Sequence, residues 1–427
     1  MTAIILFGGF ILFSALTVPI GISLGLAVIA TIFYSGIVDI TFFAQGLTTA
    51  MDSFPLMAAV FFILAGDLMG RGGISKRLLK VADAFFGRYT GGLALVTVAA
   101  CMFFAAISGT GSATVAAIGT MVIPEMMRKG YDRGFSSALI ASSGSIGAMI
   151  PPSVTMVIYG VTTGVSITAI FLAGIFPGIL VGLSLMIYSY IVSRKHGYTG
   201  NDKAYTTREK LQIINEAKWS LLVPIIILGG IYGGIFTPTE AAAVAVIYGY
   251  IIGMFVYKEF SIKELPEIIL KSALITSTIL VIIGTSSGFG RILSLERIPS
   301  MIAESIVAMS SSKVVVFLLV NALLLVVGTF METLAAVIIL APILLPVVTA
   351  YGMSPVHFGI IMVINLAIGF VTPPLGANLF VACQVADISF EKISRAIVPL
   401  IIVMVAALLI ITFVPQISMF LPNLIMN

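Results

Sequence analysis

Long apolar runs, separated by short basic segments, constrain this chain more than any other feature of its sequence. The runs cover residues 3–35, 54–70, 91–127, 135–191, 219–256, 267–290, 313–350, 355–387 and 395–421. A helix that crosses a bilayer needs roughly 20 predominantly apolar residues, so these runs leave room for about ten crossings. The sequence therefore predicts an all-α polytopic membrane protein, with the lipid bilayer as its solvent.

The charge content agrees with that prediction. Only 9% of the 427 residues are charged and 59% are hydrophobic, whereas soluble domains carry roughly 25% charged residues. The sequence contains no basic aromatic patch, so nucleic acid is not an expected partner. The two cysteines and two histidines lack zinc spacing, and no nucleotide-binding loop is present. His196 and His357 are both expected near the membrane surface. Neither an enzyme nor an ATP-driven pump is predicted.

Basic residues define the predicted topology. They cluster at residues 71–88, 128–133, 194–218, 258–271 and 392–395, and cytoplasmic loops collect such residues. Placing every cluster inside makes residues 89–127 a hairpin that enters and leaves on the cytoplasmic face. Its tip is SGTGSAT, residues 108–114. Residues 313–350 then form a second hairpin from the opposite face, with the tip GTFMET at 328–333.

The ends of the chain follow from the same argument. Pro19 divides residues 3–35 into two short crossings, and residues 395–421 form a last crossing. Both termini are predicted outside.

The two hairpin regions repeat each other. Both tips fit the pattern G-T-x-x-x-T-x-A-A, starting at Gly109 and at Gly328. Proline recurs 27 residues after Pro124 and again 27 residues after Pro346, and both copies end in G-x-x-x-P-P. Because the hairpins open to opposite faces, the repeats are inverted. Inverted repeats with broken helices are typical of secondary transporters, whose substrate and ion sites lie near the midplane.

The paired prolines predict what each break binds. Pro151 and Pro152 cannot donate to the carbonyls of Gly147 and Ala148, and Pro373 and Pro374 leave those of Gly369 and Phe370 unpaired. Unpaired carbonyls are costly in a membrane, and a hard cation such as Na⁺ is a suitable partner. Hydroxyls at the tips and breaks add oxygens: Ser108, Thr110, Ser112, Thr114, Ser143, Thr329, Thr333 and Thr372.

The half-helices after the breaks predict an anion site. Their amino ends present free amides and a positive dipole, which favour a carboxylate. The expected substrate contacts are Ser112, Ser153, Thr155 and Asn378. The alternative is that these hydroxyls only hold helices together. Two deep carboxylates also stand out: Glu240 has the alternative of being a first-turn acid of a helix, whereas Glu332 has no evident structural role.

At these motifs the chain resembles the large membrane subunit (M, DctM-like) of tripartite ATP-independent periplasmic (TRAP) transporters. The resemblance spans essentially the whole chain and is carried by SGTGSAT, GSIGAMIPPS, TPTEAAA, GTFMET and GFVTPPLGANLF. It implies an elevator-type, sodium-coupled importer of carboxylates in the bacterial inner membrane, with both termini periplasmic. It also implies two partners: a separate four-helix membrane subunit (Q) and a periplasmic substrate-binding protein (P).

The resemblance also implies the site residues, with two or more Na⁺ ions. Sodium site 1 maps onto Ser108, Thr110, Ser112, Thr114, Ser143, Gly147, Ile150 and Pro152. Sodium site 2 maps onto Gly328, Thr329, Glu332, Thr333, Gly369, Thr372, Pro373 and Gly376. Sialic acid members look most similar, with C4-dicarboxylates as the next choice.

The domain division follows the repeats. Residues 1–70 are predicted as scaffold, 71–164 as the first transport repeat with its broken helix at 135–164, and 165–290 as scaffold with a lateral arm. The arm is marked by Trp219 and a cytoplasmic loop at 192–218. Residues 291–390 hold the second repeat with its broken helix at 355–387, and 391–427 a C-terminal helix.

Other classes of protein fit part of the pattern. A two-component divalent-anion/sodium symporter would share the breaks and hairpins but need no binding protein. A channel would need a continuous polar pore, and an intramembrane protease a catalytic pair at depth.

Overall fold

The computed structural model describes residues 2–36, 38–201, 205–298, 301, 304 and 312–426. All regular elements within these residues are helical, which confirms the predicted fold class. Lys203 of the third basic cluster and residues 305–311 of the predicted second repeat lie outside the described residues.

The amino-terminal half consists of helices α1 to α9 with short connections. Their bounds are Thr2–Ala15, Ile20–Ser35, Ile40–Met51, Leu56–Arg71, Ile74–Phe86, Gly92–Ser108, Gly111–Arg128, Arg133–Ser145 and Val154–Thr163. The division near Pro19 is as predicted. Helices α3 and α5 were not predicted, because each is too short or too polar to read as an apolar run.

The remaining described helices, α10 to α19, complete the bundle. Their bounds are Ile167–His196, Thr207–Tyr232, Pro238–Ile251, Leu265–Leu295, Lys313–Phe330, Thr333–Ala350, Pro355–Gly369, Ala377–Ala386, Phe390–Phe413 and Gln416–Ile425. Among the described helices, 7 are long and apolar enough to cross a membrane, or up to 8 if the bent pair Ile40–Met51 and Leu56–Arg71 forms one span. Several shorter apolar helices fall below that length, so the count is lower than the predicted ten.

Two helical hairpins and two broken helices lie at the predicted places. Helices α6 and α7 form the first hairpin, and α14 and α15 the second. The first broken helix comprises α8, a 3-10 turn at Ile146–Ala148 and α9. The second comprises α16 and α17. The tips are tighter than predicted, since Gly109–Thr110 and Met331–Glu332 alone separate the paired helices.

The broken helices occupy the centre of the molecule. All side chains from Phe135 to Ser145 in α8 are buried, as are those from His357 to Gly369 in α16. Helices on the periphery bury only one side; α14, for example, exposes Leu318, Leu319 and Leu323. The repeat cores are therefore enclosed by protein, as irregular backbone at membrane depth requires.

Two sequence predictions about the periphery are wrong. The predicted loop 192–218 is mostly helical, because α10 runs to His196 and α11 starts at Thr207 behind a Thr206–Glu209 capping box. The C-terminal helix is two helices, since Pro415 cannot continue the hydrogen-bond pattern of Phe390–Phe413. His357, predicted near the membrane surface, is buried within the protein: it is 1% exposed and hydrogen-bonds Ser418 Oγ at 2.6 Å.

Candidate functional site

A cavity of about 500 Å³ lies where the two hairpin tips and the two breaks meet. The first repeat lines it with Ser108, Thr110, Ser112, Ser145 and Thr155. The second repeat contributes Glu332, Thr333, Phe370 and Asn378. Helices α4 and α13 close the remaining side with Gly66, Asp67, Lys271 and Thr278. Chain segments far apart in sequence thus converge on one space of small-molecule size.

The first tip is bonded to the first break. Ser108 Oγ lies 2.9 Å from Thr114 Oγ1, and Thr114 Oγ1 donates to the carbonyl of Thr110 at 2.9 Å. A Cβ added to Gly147 would lie 2.4 Å from that carbonyl oxygen, so only glycine permits the approach. Val154 N donates across to the carbonyl of Gly109 at 3.2 Å. Four of the predicted site 1 residues therefore meet at one point.

The other predicted site 1 residues have different positions. Ser143 Oγ is buried without a hydrogen-bond partner. Ser112 is partly buried and faces the cavity. The Ile150 side chain packs towards Gly178 of α10, so only its backbone is available to a site. The carbonyl of Pro152 lies against Gly109, 2.9 Å from where its Cβ would be.

The second tip meets the second break through two glycines. A Cβ added to Gly369 would lie 2.4 Å from the carbonyl carbon of Gly328. The hydroxyls of Thr329 and Thr372 donate to their own helices, to the carbonyls of Val326 at 2.7 Å and Ile368 at 2.8 Å. The second site is therefore assembled by backbone contact, with side-chain oxygens bonded locally.

Three further predicted site 2 residues surround this contact. Thr333 starts α15 at the cavity wall. Pro373 lies in the irregular segment between α16 and α17, which Gly376 ends with φ of 54°. That φ lies in the left-handed region that glycine adopts without strain.

Glu332 has a structural role that the sequence did not reveal. Its carboxylate accepts hydrogen bonds from Leu334 N at 3.0 Å and Ala335 N at 3.2 Å, and so caps α15. Glu240 acts differently: it lies in the first turn of α12, where its carboxylate accepts from the N-cap Thr237 N at 2.8 Å within a capping box, as its first-turn alternative predicted. Of the two carboxylates, only Glu332 lines the cavity.

The prediction of four unpaired carbonyls is wrong for at least three of them. Ala148 O accepts from Ser153 Oγ at 2.7 Å. Gly369 O accepts from Thr372 N at 2.9 Å, and Phe370 O from Asn378 N at 3.1 Å. The chain curls at each break, so residues on either side of the prolines supply donors that a straight helix would not. Each carbonyl has a second lone pair, so its capacity to accept further contacts remains.

The predicted substrate residues divide into two groups. Ser112, Thr155 and Asn378 line the cavity, and both side-chain polar atoms of Asn378 are buried without partners. Ser153 instead caps α9, because its hydroxyl accepts from Met156 N at 3.4 Å. Asn378 also lies beside the first tip, 3.0 Å from where a Cβ of Gly111 would be. The two repeats are therefore in contact at the side-chain amide of Asn378, whose polar atoms can bind a ligand.

The sequence does not reveal the charged pair Asp67–Lys271, which lies on the cavity wall formed by α4 and α13. Asp67 Oδ1 lies 3.5 Å from Lys271 Nζ, and Ser272 Oγ donates to Asp67 Oδ2 at 2.7 Å. Asp67 belongs to an apolar run, which marks it as an intramembrane carboxylate of the kind that is functional by default. The sequence predicts Lys271 as part of the cytoplasmic cluster at 258–271, and no sequence pattern indicates its position in the cavity wall.

Comparison with known proteins identifies the family of this chain and a solved structure with the same fold. A family described as "Tripartite ATP-independent periplasmic transporter, DctM component" matches residues 7–417. The chain belongs to this family of transporter permeases. The permease protein DctMQ of an isethionate TRAP transporter from Oleidesulfovibrio alaskensis is 51% identical over 97% of this chain, which spans 66% of that protein.

Other relatives differ in their named substrates. The C4-dicarboxylate large permease DctM of Rhodobacter capsulatus is 39% identical, with 100% of both chains covered. The sialic acid large permease SiaM of Vibrio cholerae is 38% identical over 96% of each chain.

A solved transporter shares the fold at low sequence identity. The YdaH transporter of Alcanivorax borkumensis has a TM-score of 0.64 and 16% identity, with 88% of this chain and 87% of that chain covered. At that identity the likeness extends to the fold alone.

Proposed function

We propose that this chain is the membrane-spanning transport subunit of a sodium-coupled importer of a small organic anion. The observation that carries the proposal is the convergence of two tip–break units on one central cavity. Family membership supports secondary transport within a tripartite system. The hydroxyls, glycine contacts and helix amino ends around the cavity support the assignment of ion and anion sites there.

Sodium would occupy the two tip–break contacts. At the first, Thr110 O, Ser108 Oγ and Thr114 Oγ1 provide neutral oxygens close together, and Ser143 Oγ in the same broken helix is buried without a partner. At the second, the backbone around Gly328 and Gly369 would supply most ligands. Hard monovalent cations favour such oxygen sets by the reasoning that applies to Ca²⁺ and Mg²⁺.

The anion would bind between these contacts. Helices α9 and α17 both start at the cavity, and helix amino ends favour negative charge. The unpartnered amide of Asn378 can donate to it. Sodium bound at each tip would hold both repeats in the shape that the anion needs, which couples the two ligands.

Movement of the two repeats as one body against α4 and α13 would expose this cavity to each face in turn, as in an elevator mechanism. The partners would be a small membrane subunit and a periplasmic binding protein that delivers the substrate. The prediction of sialic acid stays untested. Isethionate should be examined first, since the relative named for it is 51% identical, against 38% for the sialic acid permease.

The test is uptake into proteoliposomes that contain this chain with its small membrane subunit. Isethionate, succinate and N-acetylneuraminate are supplied separately, each with a matching binding protein, under an inward sodium gradient or with potassium replacing sodium. We expect one anion to accumulate only with sodium and the binding protein. Sodium-independent uptake by this chain alone would contradict the proposal, and sodium-driven uptake without partners would instead indicate a two-component symporter.

A further inference from the structure

The cavity wall formed by α4 and α13 carries a cationic side chain that belongs to neither of the two predicted sodium sites. Among the described residues, Lys271 is the one lysine or arginine that lines the cavity. Its side chain is 61% exposed, so its ammonium lies where the cavity opens to solvent. The opposite wall carries the helix amino ends of the two breaks. An anion in the cavity would therefore have donors on both sides.

Lys271 is held only weakly by its neighbour. Asp67 lies 3.5 Å from the ammonium and is itself 15% exposed, and it receives a shorter hydrogen bond of 2.7 Å from Ser272. An exposed ion pair at such a distance contributes little to stability. Ser272 still donates a hydrogen bond to Asp67 when Lys271 moves away. Lys271 can therefore bind a ligand anion without leaving the Asp67 carboxylate unpaired.

The next turn of the same two helices provides a contrast. Arg71 and Glu267 pair at 2.5 Å, also between α4 and α13, but neither lines the cavity. That pair links the two helices through a shorter contact than the one between Asp67 and Lys271. The longer Asp67–Lys271 pair, one turn along, is the one that faces the cavity.

We infer that Lys271 is a specificity-determining residue that exchanges Asp67 for the acidic group of the transported anion at the open end of the cavity. This inference rests on the proposed function and adds a contact from the scaffold side to those predicted on the two repeats. The ligand class is a carboxylate or sulfonate, which an ammonium binds as a point charge. The other cavity carboxylate, Glu332, is engaged by two backbone amides and does not compete as a nearby partner.

The experiment measures initial uptake rates in proteoliposomes with the complete transporter, for wild type, Lys271→Gln, Lys271→Arg and Asp67→Asn. Isethionate, succinate and N-acetylneuraminate are the probes. Lys271→Gln should raise KM about tenfold or more, because a charge-assisted contact is lost, while the maximal rate stays within about twofold. Lys271→Arg should restore a KM near that of wild type. Asp67→Asn should lower KM, since it frees the ammonium.

The controls separate this role from a structural one. Glu267→Gln breaks the neighbouring pair and should not change KM. If Asp67→Asn and Lys271→Gln impair uptake equally and lower the unfolding temperature equally, the pair is only a tie and the inference is overturned. An unchanged KM in Lys271→Gln overturns it as well, with wild-type transport intact. Failure of wild type to take up any of the three anions with sodium would instead overturn the proposed function.

Discussion

At the residue scale, the hydroxyls proposed to bind sodium at the first tip also form hydrogen bonds that shape the tip. Thr114 Oγ1 joins Ser108 Oγ and the carbonyl of Thr110 at the first tip, and it is fully buried. A buried hydroxyl that is already bonded shapes the tip whether or not a cation is present. Its remaining lone pair is what a sodium ion would use.

Thr114→Val removes that oxygen and keeps the branched shape. We expect the sodium concentration for half-maximal uptake to rise about tenfold, because one ligand and two hydrogen bonds are lost. The matched control is Thr120→Val on the same helix, whose exposed hydroxyl bonds only to α7 itself, at 3.1 Å from Ala116 O. A sodium dependence that is equal in both variants would remove Thr114 from the site.

At the scale of elements, a glycine in each broken helix allows the hairpin tip to pack closely against it. Gly147 accepts the first tip and Gly369 the second, with no space for a Cβ at either position. The sequence pattern aligned these glycines in the repeat, but only the packing gives the reason. They let two backbones approach closely, as small residues do between membrane helices.

Gly369→Ala should therefore destabilise the folded protein by about 1–3 kcal/mol, the usual cost of overpacking. The measurement is the thermal unfolding midpoint of the purified protein, which should fall. Gly229→Ala is the control, because that glycine lies inside α11 with nothing within 4 Å of an added Cβ. Alanine is also the better helix former there, so its midpoint should stay level or rise. Equal midpoints for the two variants would contradict a tight tip–break contact.

At the scale of the whole molecule, the orientation in the membrane stays a prediction from the positive charges. The basic clusters place the connection after α10 inside, and the same count places the carboxyl terminus outside. Cys101 is buried and Cys383 partly buried, so single introduced cysteines can report on exposed positions.

The orientation is tested in a variant with both native cysteines replaced by alanine. Thr199→Cys lies in the exposed connection after α10, and Asn423→Cys lies near the end of α19. In intact, right-side-out cells, a membrane-impermeant maleimide should label position 423 and reach position 199 only after permeabilisation. The reverse pattern would invert the predicted topology and, with it, the face from which each hairpin enters.

The sequence by itself determined the fold class, the two breaks, the two hairpins and the repeat that relates them. These features depend on local chemistry: the length of apolar runs, the missing N–H of Pro151 and Pro373, and the polar tips. Such properties act within one segment, so they can be recognised without knowing its neighbours.

Tertiary structure alone decided how the polar groups are satisfied and which of them share a space. Ser153 bonds back to Ala148, Asn378 N to Phe370, and Glu332 to the start of its own helix, so groups predicted to await a ligand are partly occupied. The cavity wall with Asp67 and Lys271 joins helices some 200 residues apart in sequence, at Leu56–Arg71 and Leu265–Leu295. No local pattern encodes such a meeting, because it is set by how whole helices pack against one another.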